Sequence, residues 1–333
     1  MVTLRMIAEK CGVSLTTVSK ALNDAQDLNA RTKERIRKTA REMGYRPNVA
    51  AKALRTNRSY SFGIIYEEAA KYGLTHEFFS SILNSFMTRS QELGYDVFFL
   101  GDQLAGRRIS YADHARYRNC DGILVIVGTD SVAGILEDLN GCDCPVVSVD
   151  YEGEGVHSIF SDNARGMREL VDYAVAQGHR RIAFLHGEDT PVTRIRLAAF
   201  REAISAHGIT LPEEYVSEAR YHNPGACQRA LQFLLSLPEI PTCVLLPDDI
   251  AYLGAVNEFA ARGMRVPQDI SVMGYDGIDM TQYVHPKLTT MRQDAGAMGR
   301  AAADILAGQP SEQKKLLIPG ILIPGETVRR INP

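Results

Sequence analysis

The sequence has few cysteines and lacks the patterns in which cysteine marks a structural or metal site. Its six cysteines are dispersed and no two form a CxxC pair, so neither a disulfide framework nor a zinc site is expected. The longest apolar run, near Ile123–Val127, is far shorter than the ~18 residues that cross a bilayer. Charged residues stand near the N-terminus, where a signal peptide needs an apolar stretch. We therefore expect reduced thiols, no membrane partner and a cytoplasmic protein.

The motifs of common enzyme classes are also missing. The sequence contains no GxSxG, GxxxxGK(S/T) or HExxH segment, and its eight histidines are scattered. These segments supply, in that order, a nucleophilic serine, a phosphate-binding loop and a pair of zinc ligands. Their absence predicts a protein that is not an enzyme, with no cofactor and no metal site.

What is present is a chain of ordinary globular composition that is too long for one small domain. The 333 residues are 45% hydrophobic and 23% charged, which is the balance of a protein with a sizeable core. At ~100 to 200 residues per domain, this length predicts two or three domains.

The net charge of −3 conceals two oppositely charged parts. Residues 1–60 contain 13 Lys and Arg against 5 Asp and Glu, a net of +8, whereas the remaining 24 Lys and Arg and 35 Asp and Glu give −11. A basic block on an acidic body is typical of a nucleic-acid-binding module joined to another domain, because clustered cations neutralise phosphates. The alternative is a solvated helical face, and the pattern within the block decides between them.

The basic block has the pattern of a helix-turn-helix. Thr3 is a candidate N-cap for a first helix that stops at Gly12, where glycine permits a positive φ. Ser14 is the candidate cap of a second helix that ends near Leu22, and Asn29 caps a third helix. The spacing therefore predicts three short helices, the third ending near residue 43.

Three small or apolar residues make this pattern specific. Ala8 is small where two helices cross, Gly12 allows the turn, and Val18 closes the core from the second helix. If the second helix enters the major groove, its outward side chains reach base edges. These side chains are Leu15, Thr16, Thr17 and Lys20. The alternative is that the two threonines are polar surface residues and nothing more.

The segments VSLTTVSKALN and GYRPNVAAKALR resemble the DNA-binding head and hinge of the lactose-repressor (LacI/GalR) family of bacterial transcription regulators. The resemblance implies a hinge helix that orders on operator DNA and pairs with its dimer mate in the minor groove. Asn48 would cap this helix, small Ala51 would let the two helices approach, and Leu54 would wedge into the central base step. The expected DNA-binding residues are Thr3, Leu15, Thr16, Thr17, Lys20, Asn48, Ala51 and Leu54.

From Ser61 onward, short β-rich runs alternate with amphipathic helical patterns. This alternation predicts parallel sheets that are covered by helices on both faces. The predicted strands are Phe62–Tyr66, Val97–Leu100, Ile123–Val127, Val146–Val149, Ile182–His186, Cys243–Leu246 and Ser271–Gly274. The predicted helices are Phe78–Leu93, Ala164–Gln177, Thr193–His207, Gly225–Leu235 and Ala251–Arg262.

The family resemblance continues to the C-terminus and implies an α/β two-lobed body resembling type I periplasmic binding proteins, behind a small all-α helix-turn-helix head. The lobes would be discontinuous, with crossovers near Phe160, Thr289 and Pro319. We therefore expect a head at 1–46, a hinge helix and linker at 47–60, and an effector-binding and dimerisation domain at 61–333. The N-lobe would comprise about 61–160 plus 290–318, and the C-lobe about 161–289 plus 319–333.

In parallel sheets, ligands gather beyond the carboxyl ends of the strands, and several polar and aromatic residues follow the predicted strands. The candidate effector-binding residues are Phe78, Phe79, Asp102, Asp150, Arg196, Tyr221, Asp249, Tyr275 and Asp276. By resemblance, Arg196 in TRIRLAAF stands at the family's ligand arginine, and Asp249 in PDDIAYLGA at its ligand aspartate. An Arg and an Asp that grip adjacent hydroxyls, with aromatic faces on a ring, suit a saccharide or a nucleoside.

Less specific interpretations of these residues stay open. Asp249 could cap the helix that begins near Ile250, Arg196 could be a surface cation, and Tyr221 could be a half-buried loop residue. His76 and Glu77 replace the first two residues of the NPFF segment that is common in the family. This titratable pair either alters the choice of effector or faces solvent.

Together these features predict a homodimeric, ligand-responsive repressor that binds a pseudo-palindromic operator of double-stranded DNA. We expect the repressor to control a carbohydrate-utilisation operon, with a sugar or sugar derivative as effector and effector-controlled ordering of the hinge helix. The alternatives are a solute-binding protein without a regulatory role, a nucleoside- or purine-responsive regulator, and a sugar-processing enzyme with a DNA-binding appendage. Because no leucine-heptad helix precedes Pro333, a tetramer is not expected.

Overall fold

The chain divides into two compact units, Met1–Ser59 and Tyr60–Pro333, which we name the head and the body. The computed structural model describes residues 2–22, 25, 27–45, 58–67, 73–128 and 131–331. The hinge residues Asn48, Ala51 and Leu54 lie outside the described residues.

The described part of the head consists of α1 (Leu4–Cys11), α2 (Leu15–Leu22) and α3 (Ala30–Glu42). Local capping sets their limits. The Thr3 side chain accepts a hydrogen bond from the main-chain N–H of Met6 (3.4 Å), and Gly12 ends α1 with a φ of 64°. The Asn29 side chain accepts from the N–H of Arg31 and starts α3.

A small apolar core joins the three helices of the head. It consists of Ile7, Ala8, Val18, Ala21, Ile36 and Ala40. Arg37 of α3 is half-buried beside this core, and its Nε donates to the main-chain carbonyl of Ala21 (3.2 Å) in the last turn of α2. A cation at that end of a helix is favourable, because the unpaired carbonyls there carry partial negative charge.

The N-lobe of the body is built on a parallel sheet of six described strands in the order β13-β7-β6-β5-β1-β2. All six residues of its central strand β5 are buried, as expected for a parallel sheet covered on both faces. The strands of this lobe are β1 (Ser61–Glu67), β2 (Asp96–Phe99), β5 (Gly122–Val127), β6 (Val146–Val149), β7 (His157–Ser161) and β13 (Lys315–Ile318), with a hairpin of β3 (Gln103–Leu104) and β4 (Arg107–Arg108). The helices are α4 (Glu77–Glu92), α5 (Tyr111–Arg118), α6 (Val132–Leu139) and α11 (Ala295–Gly308).

The C-lobe repeats this plan with six described strands in the order β14-β12-β11-β10-β8-β9. Its strands are parallel except for β14, which runs antiparallel to β12. The strands are β8 (Ile182–His186), β9 (Val216–Glu218), β10 (Cys243–Leu245), β11 (Ser271–Asp276), β12 (Thr289–Arg292) and β14 (Ile321–Ile323). The helices are α7 (Asn163–Ala176), α8 (Pro191–Ala206), α9 (Pro224–Leu234) and α10 (Ala251–Ala261).

The chain passes between the lobes at three places. It leaves the N-lobe sheet after Ser161, returns between Arg292 and Ala295, and leaves it again after Ile318. The second crossing corrects our expectation that the N-lobe resumes at about residue 290. Residues 289–292 form β12, which pairs with β11 of the C-lobe, so the N-lobe resumes only at α11.

Candidate functional site

Arg196 is the centre of a buried polar cluster in the body. It lies in the second turn of α8 and is 4% exposed. Its Nε donates to Oδ1 of Asn163 (2.8 Å) and its Nη1 to the carbonyl of Pro247 (3.1 Å). Its guanidinium carbon lies 3.5 Å from the centre of the Tyr275 ring and 5.8 Å from that of Tyr221. These contacts exclude the interpretation of Arg196 as a surface cation.

Two carboxylates near Arg196 come from different lobes. Asp150 directly follows β6 of the N-lobe, and Asp276 ends β11 of the C-lobe. Burial raises the pKa of each to about 6, while the neighbouring Arg196 opposes the shift. Oδ1 of Asp276 accepts from Nε2 of Gln293 (2.7 Å), whereas Oδ1 of Asp150 is buried with no hydrogen-bond partner among the described residues. A ligand hydroxyl that donates to Asp150 would satisfy this oxygen.

Three residues around the cluster have a positive φ, which is uncommon outside glycine. The values are 60° for Asp150, 49° for His222 and 106° for Asp276. Such conformations persist only where the surrounding structure holds them, and they concentrate at ligand-binding sites.

Asp248 and Asp249 follow β10 and have different contacts. Asp248 accepts from the main-chain N–H of Ala251 (2.8 Å), the first residue of α10, and so acts as its cap. Asp249 is 1% exposed and accepts from the N–H of Ile278 (2.9 Å) and the hydroxyl of Thr290 (2.6 Å). Both side-chain oxygens of Asp249 therefore accept hydrogen bonds from within the C-lobe. The expected role of Asp249 as an effector ligand stays a prediction, and its contacts favour a supporting role.

Two aromatic residues flank Arg196. The half-buried Tyr221 donates or accepts one hydrogen bond with the hydroxyl of Thr193 (2.9 Å), and Gly187 leaves room for its ring, since a Cβ there would come within 2.0 Å of it. Tyr275 is 1% exposed and packs beneath the guanidinium. Tyr221 thus lies beside Arg196, and its role as an effector ligand stays a prediction, whereas Tyr275 packs beneath the guanidinium.

The N-lobe aromatics occupy different environments. Phe78 is 7% exposed and belongs to the N-lobe core, while Phe79 is half-buried and packs on Tyr66. Phe78 also lines an open cavity of about 380 Å³ between the lobes, together with Asp276 and Gln293. This volume lies within the range of small-ligand sites. The cavity adjoins the Arg196 cluster through Asp276 but is not lined by Arg196.

Asp102 is not among the residues that the structure brings together. Strand β2 ends at Phe99, and the chain then turns into the β3–β4 hairpin. There the Asp102 side chain is 58% exposed and lies 4.0 Å from Arg108. Among the described residues, it makes no contact with the Arg196 cluster. A position after a strand was too weak a signal, because the hairpin carries this carboxylate to the surface.

The head presents most of its expected DNA-binding residues to solvent. Leu15 is 53% exposed, and Thr16 is also exposed. The Thr17 hydroxyl lies 2.8 Å from that of Ser14. Lys20 forms an ion pair with Asp27, which lowers the pKa of that carboxyl. Thr3 caps α1 as described above.

Several residues of the site are not among the predicted effector-binding residues. Asn163 orients Arg196, whereas its neighbour Asp162 caps α7 by accepting from the N–H of Arg165 (3.1 Å). Gln293 and His222 contact Asp276 but carry no motif that could have revealed them. Across the described chain, no group of three His, Cys, Asp or Glu side chains is arranged to hold a metal ion. None of the described helices combines the length and apolar character of a membrane span.

Comparison with known proteins agrees with this architecture. The family described as bacterial regulatory proteins, lacI family, matches residues 3–48. A periplasmic binding protein-like domain matches residues 171–328. The first match falls on the head, and the second covers most of the C-lobe together with α11 and β13 of the N-lobe.

Whole-length relatives are transcriptional repressors. The probable HTH-type transcriptional repressor ExuR of Bacillus subtilis (strain 168) is 30% identical over 340 residues, which cover 100% of both chains. The HTH-type transcriptional repressor CytR of Escherichia coli (strain K12) is 29% identical over 315 residues, covering 93% of this chain and 90% of CytR.

Solved structures of similar proteins share both head and body. A lac repressor dimer bound to operator and the anti-inducer ONPF has a TM-score of 0.80 at 25% identity, covering 98% of this chain and 99% of the repressor. The transcriptional regulator CelR in complex with cellobiose has a TM-score of 0.70 at 25% identity, covering 98% and 100%.

The helix-turn-helix head and the two-lobed body with its buried polar cluster define a DNA-binding transcriptional regulator, not an enzyme. The chain belongs to the LacI family of bacterial regulatory proteins.

Proposed function

We propose that this regulator is a homodimeric repressor whose affinity for a pseudo-palindromic operator is controlled by an uncharged, hydroxyl-rich effector such as a sugar. Residues 1–46 would bind the major groove, 47–60 would form the hinge, and 61–333 would bind effector and form the dimer. The site of action is the cytoplasm, where operator DNA is found. The lac repressor relative is a dimer on its operator, and the CelR relative binds cellobiose.

The observation that carries the effector class is the balance of charge around Arg196. This buried cation stands beside two carboxylates, Asp150 and Asp276, and one buried oxygen of Asp150 has no hydrogen-bond partner in the described part of the chain. A neutral hydroxyl can donate to that oxygen and also accept from the guanidinium. A carboxylate or phosphate on the effector would bring further negative charge close to two carboxylates, which is unfavourable.

Operator binding is tested with genomic fragments in a gel-shift assay. We expect specific fragments to be retained, with an affinity that falls steeply with salt because the basic head acts through phosphates. Leu54→Ala should weaken specific binding while leaving the dimer intact, since the wedge kinks the DNA. A protein that retains no fragment would refute the repressor assignment and favour a solute-binding protein. Unchanged operator affinity in the variant would remove the wedge assignment.

The effector class is tested by thermal shift with matched pairs: neutral sugars against their uronic acids and phosphates, and nucleosides against their monophosphates. A bound ligand stabilises the folded state. We expect stabilisation by a neutral sugar that also changes operator affinity. Tighter binding of an acid or phosphate would contradict the charge argument, and a response to nucleosides alone would favour the nucleoside-responsive alternative.

A further inference from the structure

The first turn of α4 makes two contacts with the C-lobe. The ring of His76 lies 3.9 Å from the ring of His222, measured between centroids. Oε1 of Glu77 accepts a hydrogen bond from the main-chain N–H of Asp279 (2.7 Å). His76 and Glu77 belong to the N-lobe, and both partners belong to the C-lobe, so the two adjacent residues join the lobes beside the Arg196 cluster.

The position of His76 requires an uncharged imidazole. Its Nδ1 accepts from the main-chain N–H of Phe79 (3.5 Å) and caps α4, so this nitrogen carries no proton. The ring is 7% exposed and packs on the ring of Phe79 at 4.3 Å. Burial and the neighbouring His222 lower the pKa of His76 to about 3.

Acidic groups of the C-lobe hold His222 in place. Its main-chain N–H donates to Oδ2 of Asp248 (2.6 Å), and its Nε2 lies 3.9 Å from Oδ2 of Asp276. Besides the two imidazoles, the titratable groups near this contact are Asp276, which faces the His222 ring, Asp248, which binds the His222 main chain, and Glu77, which follows His76 in the chain. A proton at Nδ1 of His76 would face the main-chain N–H of Phe79, and the charged ring would meet the second imidazole at close range.

We propose that His76 and Glu77 form a clasp that sets the closed position of the effector cleft, and that protonation of His76 releases it. This proposal depends on the proposed function in one respect, because it takes this cleft as the effector site. It gives a role to the His76–Glu77 pair, which replaces the common start of the NPFF segment. Both residues are positioning residues, because they act on the distance between the lobes.

The sign of the pH effect follows from the pKa of His76. An open form with the ordinary value of 6.5 takes up a proton below that pH, whereas the closed form stays neutral down to about 3. The contribution of His76 to closure is therefore fully present above pH 6.5. Below this pH, the equilibrium constant for closure falls by up to about tenfold per pH unit. Asp150 and Asp276 act in the opposite direction, since burial raises their pKa to about 6.

Hydrogen exchange at the Asp279 amide tests the clasp in the full-length protein, because this N–H is the donor to Glu77. Protection factors are measured without DNA or effector at pH 7.5 and pH 5.5 and corrected for the intrinsic rate. Glu77→Ala should lower the protection of Asp279 by about tenfold. Glu77→Gln should restore most of it, because the amide oxygen still accepts. Equal protection in the Glu77→Ala variant and the wild type would overturn the clasp.

His76→Asn isolates the pH dependence. Asparagine is a good N-cap, so α4 keeps its start while the titrating ring is lost. We expect the protection factor of the Asp279 amide in the wild type, divided by that in the variant, to fall by about tenfold from pH 7.5 to pH 5.5. His285→Asn is the matched control, because His285 is 76% exposed, and its ratio to the wild type should stay constant. A constant ratio for His76→Asn would overturn the acid-release step. Failure of the repressor assignment would appear separately, as loss of operator binding.

Discussion

The guanidinium carbon of Arg196 lies 3.5 Å above the centre of the Tyr275 ring. Glycine at position 166 leaves room for this ring, since a Cβ there would come within 2.5 Å of the Tyr275 hydroxyl. With Nε on Asn163 and Nη1 on the Pro247 carbonyl, the cation is oriented before any ligand arrives. A preoriented arginine loses little side-chain entropy on binding, which favours affinity.

Arg196→Lys should weaken effector binding about 10- to 100-fold and leave operator affinity nearly unchanged. A lysine ammonium keeps the charge but cannot reproduce the planar fork, and a charge-assisted hydrogen bond contributes about 1.5–3 kcal/mol. The measurement is release of labelled operator, followed by fluorescence anisotropy, as effector is added. Arg194→Lys on the same helix is the control, because Arg194 is 61% exposed and pairs with Asp189. A variant that responds at the wild-type effector concentration would show that Arg196 is misassigned.

Asp150→Asn should raise the melting temperature of the effector-free protein at pH 7.5 but not at pH 4. The folded pKa of Asp150 is about 6, above the ordinary 3.8. Between pH 3.8 and pH 6, Asp150 is protonated in the folded state but ionised in the unfolded state. The free-energy cost of burying its charge is therefore absent at low pH and fully present above about pH 6. Asparagine also accepts the φ of 60° at this position.

Asp102→Asn is the control for Asp150→Asn, because Asp102 lies in the same lobe with its side chain 58% exposed. Its melting temperature should follow the wild type at both pH values. An Asp150→Asn protein that is less stable than the wild type at pH 7.5 would mean that Arg196 outweighs the burial of this carboxylate.

The parts of the fold that local signals control were predicted from the sequence. The predicted first and second helices of the head agree closely with α1 and α2, because capping and a turn glycine act within a few residues. Helix α5 was not predicted, since its buried residues Ala112, His114 and Ala115 give no apolar stripe. Strands β12, β13 and β14 were also missed, because their pairing depends on residues that are distant in sequence.

The site was predicted less completely, for a different physical reason. Arg196 lies in a recognisable segment, but its partner Asn163 lies 33 positions away and was not among the predicted effector-binding residues. Asp248 and Asp249 are adjacent carboxylates, and only the geometry separates the helix cap from the residue that binds Thr290. The positive φ of His222 leaves no trace in composition or periodicity.

Asp27→Asn should tighten DNA binding, whereas Lys20→Ala should weaken it. The ion pair with Asp27 competes with DNA for the Lys20 ammonium, and about half of each side chain is exposed. Removing the carboxylate frees the cation and makes the head more positive. Affinities for operator and for unrelated DNA are measured against salt concentration, and Lys20→Ala should flatten the salt dependence. Equal affinity of Asp27→Asn and the wild type at low salt would show that the pair opens at no cost when DNA binds.

Gly299→Ala should destabilise the body by about 1–3 kcal/mol, the usual cost of overpacking. A Cβ at Gly299 of α11 would come within 2.3 Å of the Ile82 carbonyl and 2.7 Å of the Phe86 nitrogen. Both atoms belong to the backbone of α4, so the two helices would have to separate. Gly308→Ala is the control in the same helix, because a Cβ there meets nothing within 4 Å. Since alanine favours helix over glycine, this control should be neutral or stabilising by up to about 1 kcal/mol. Urea unfolding measures both variants, and equal stability of the two would show that the α4–α11 contact can relax around a methyl group.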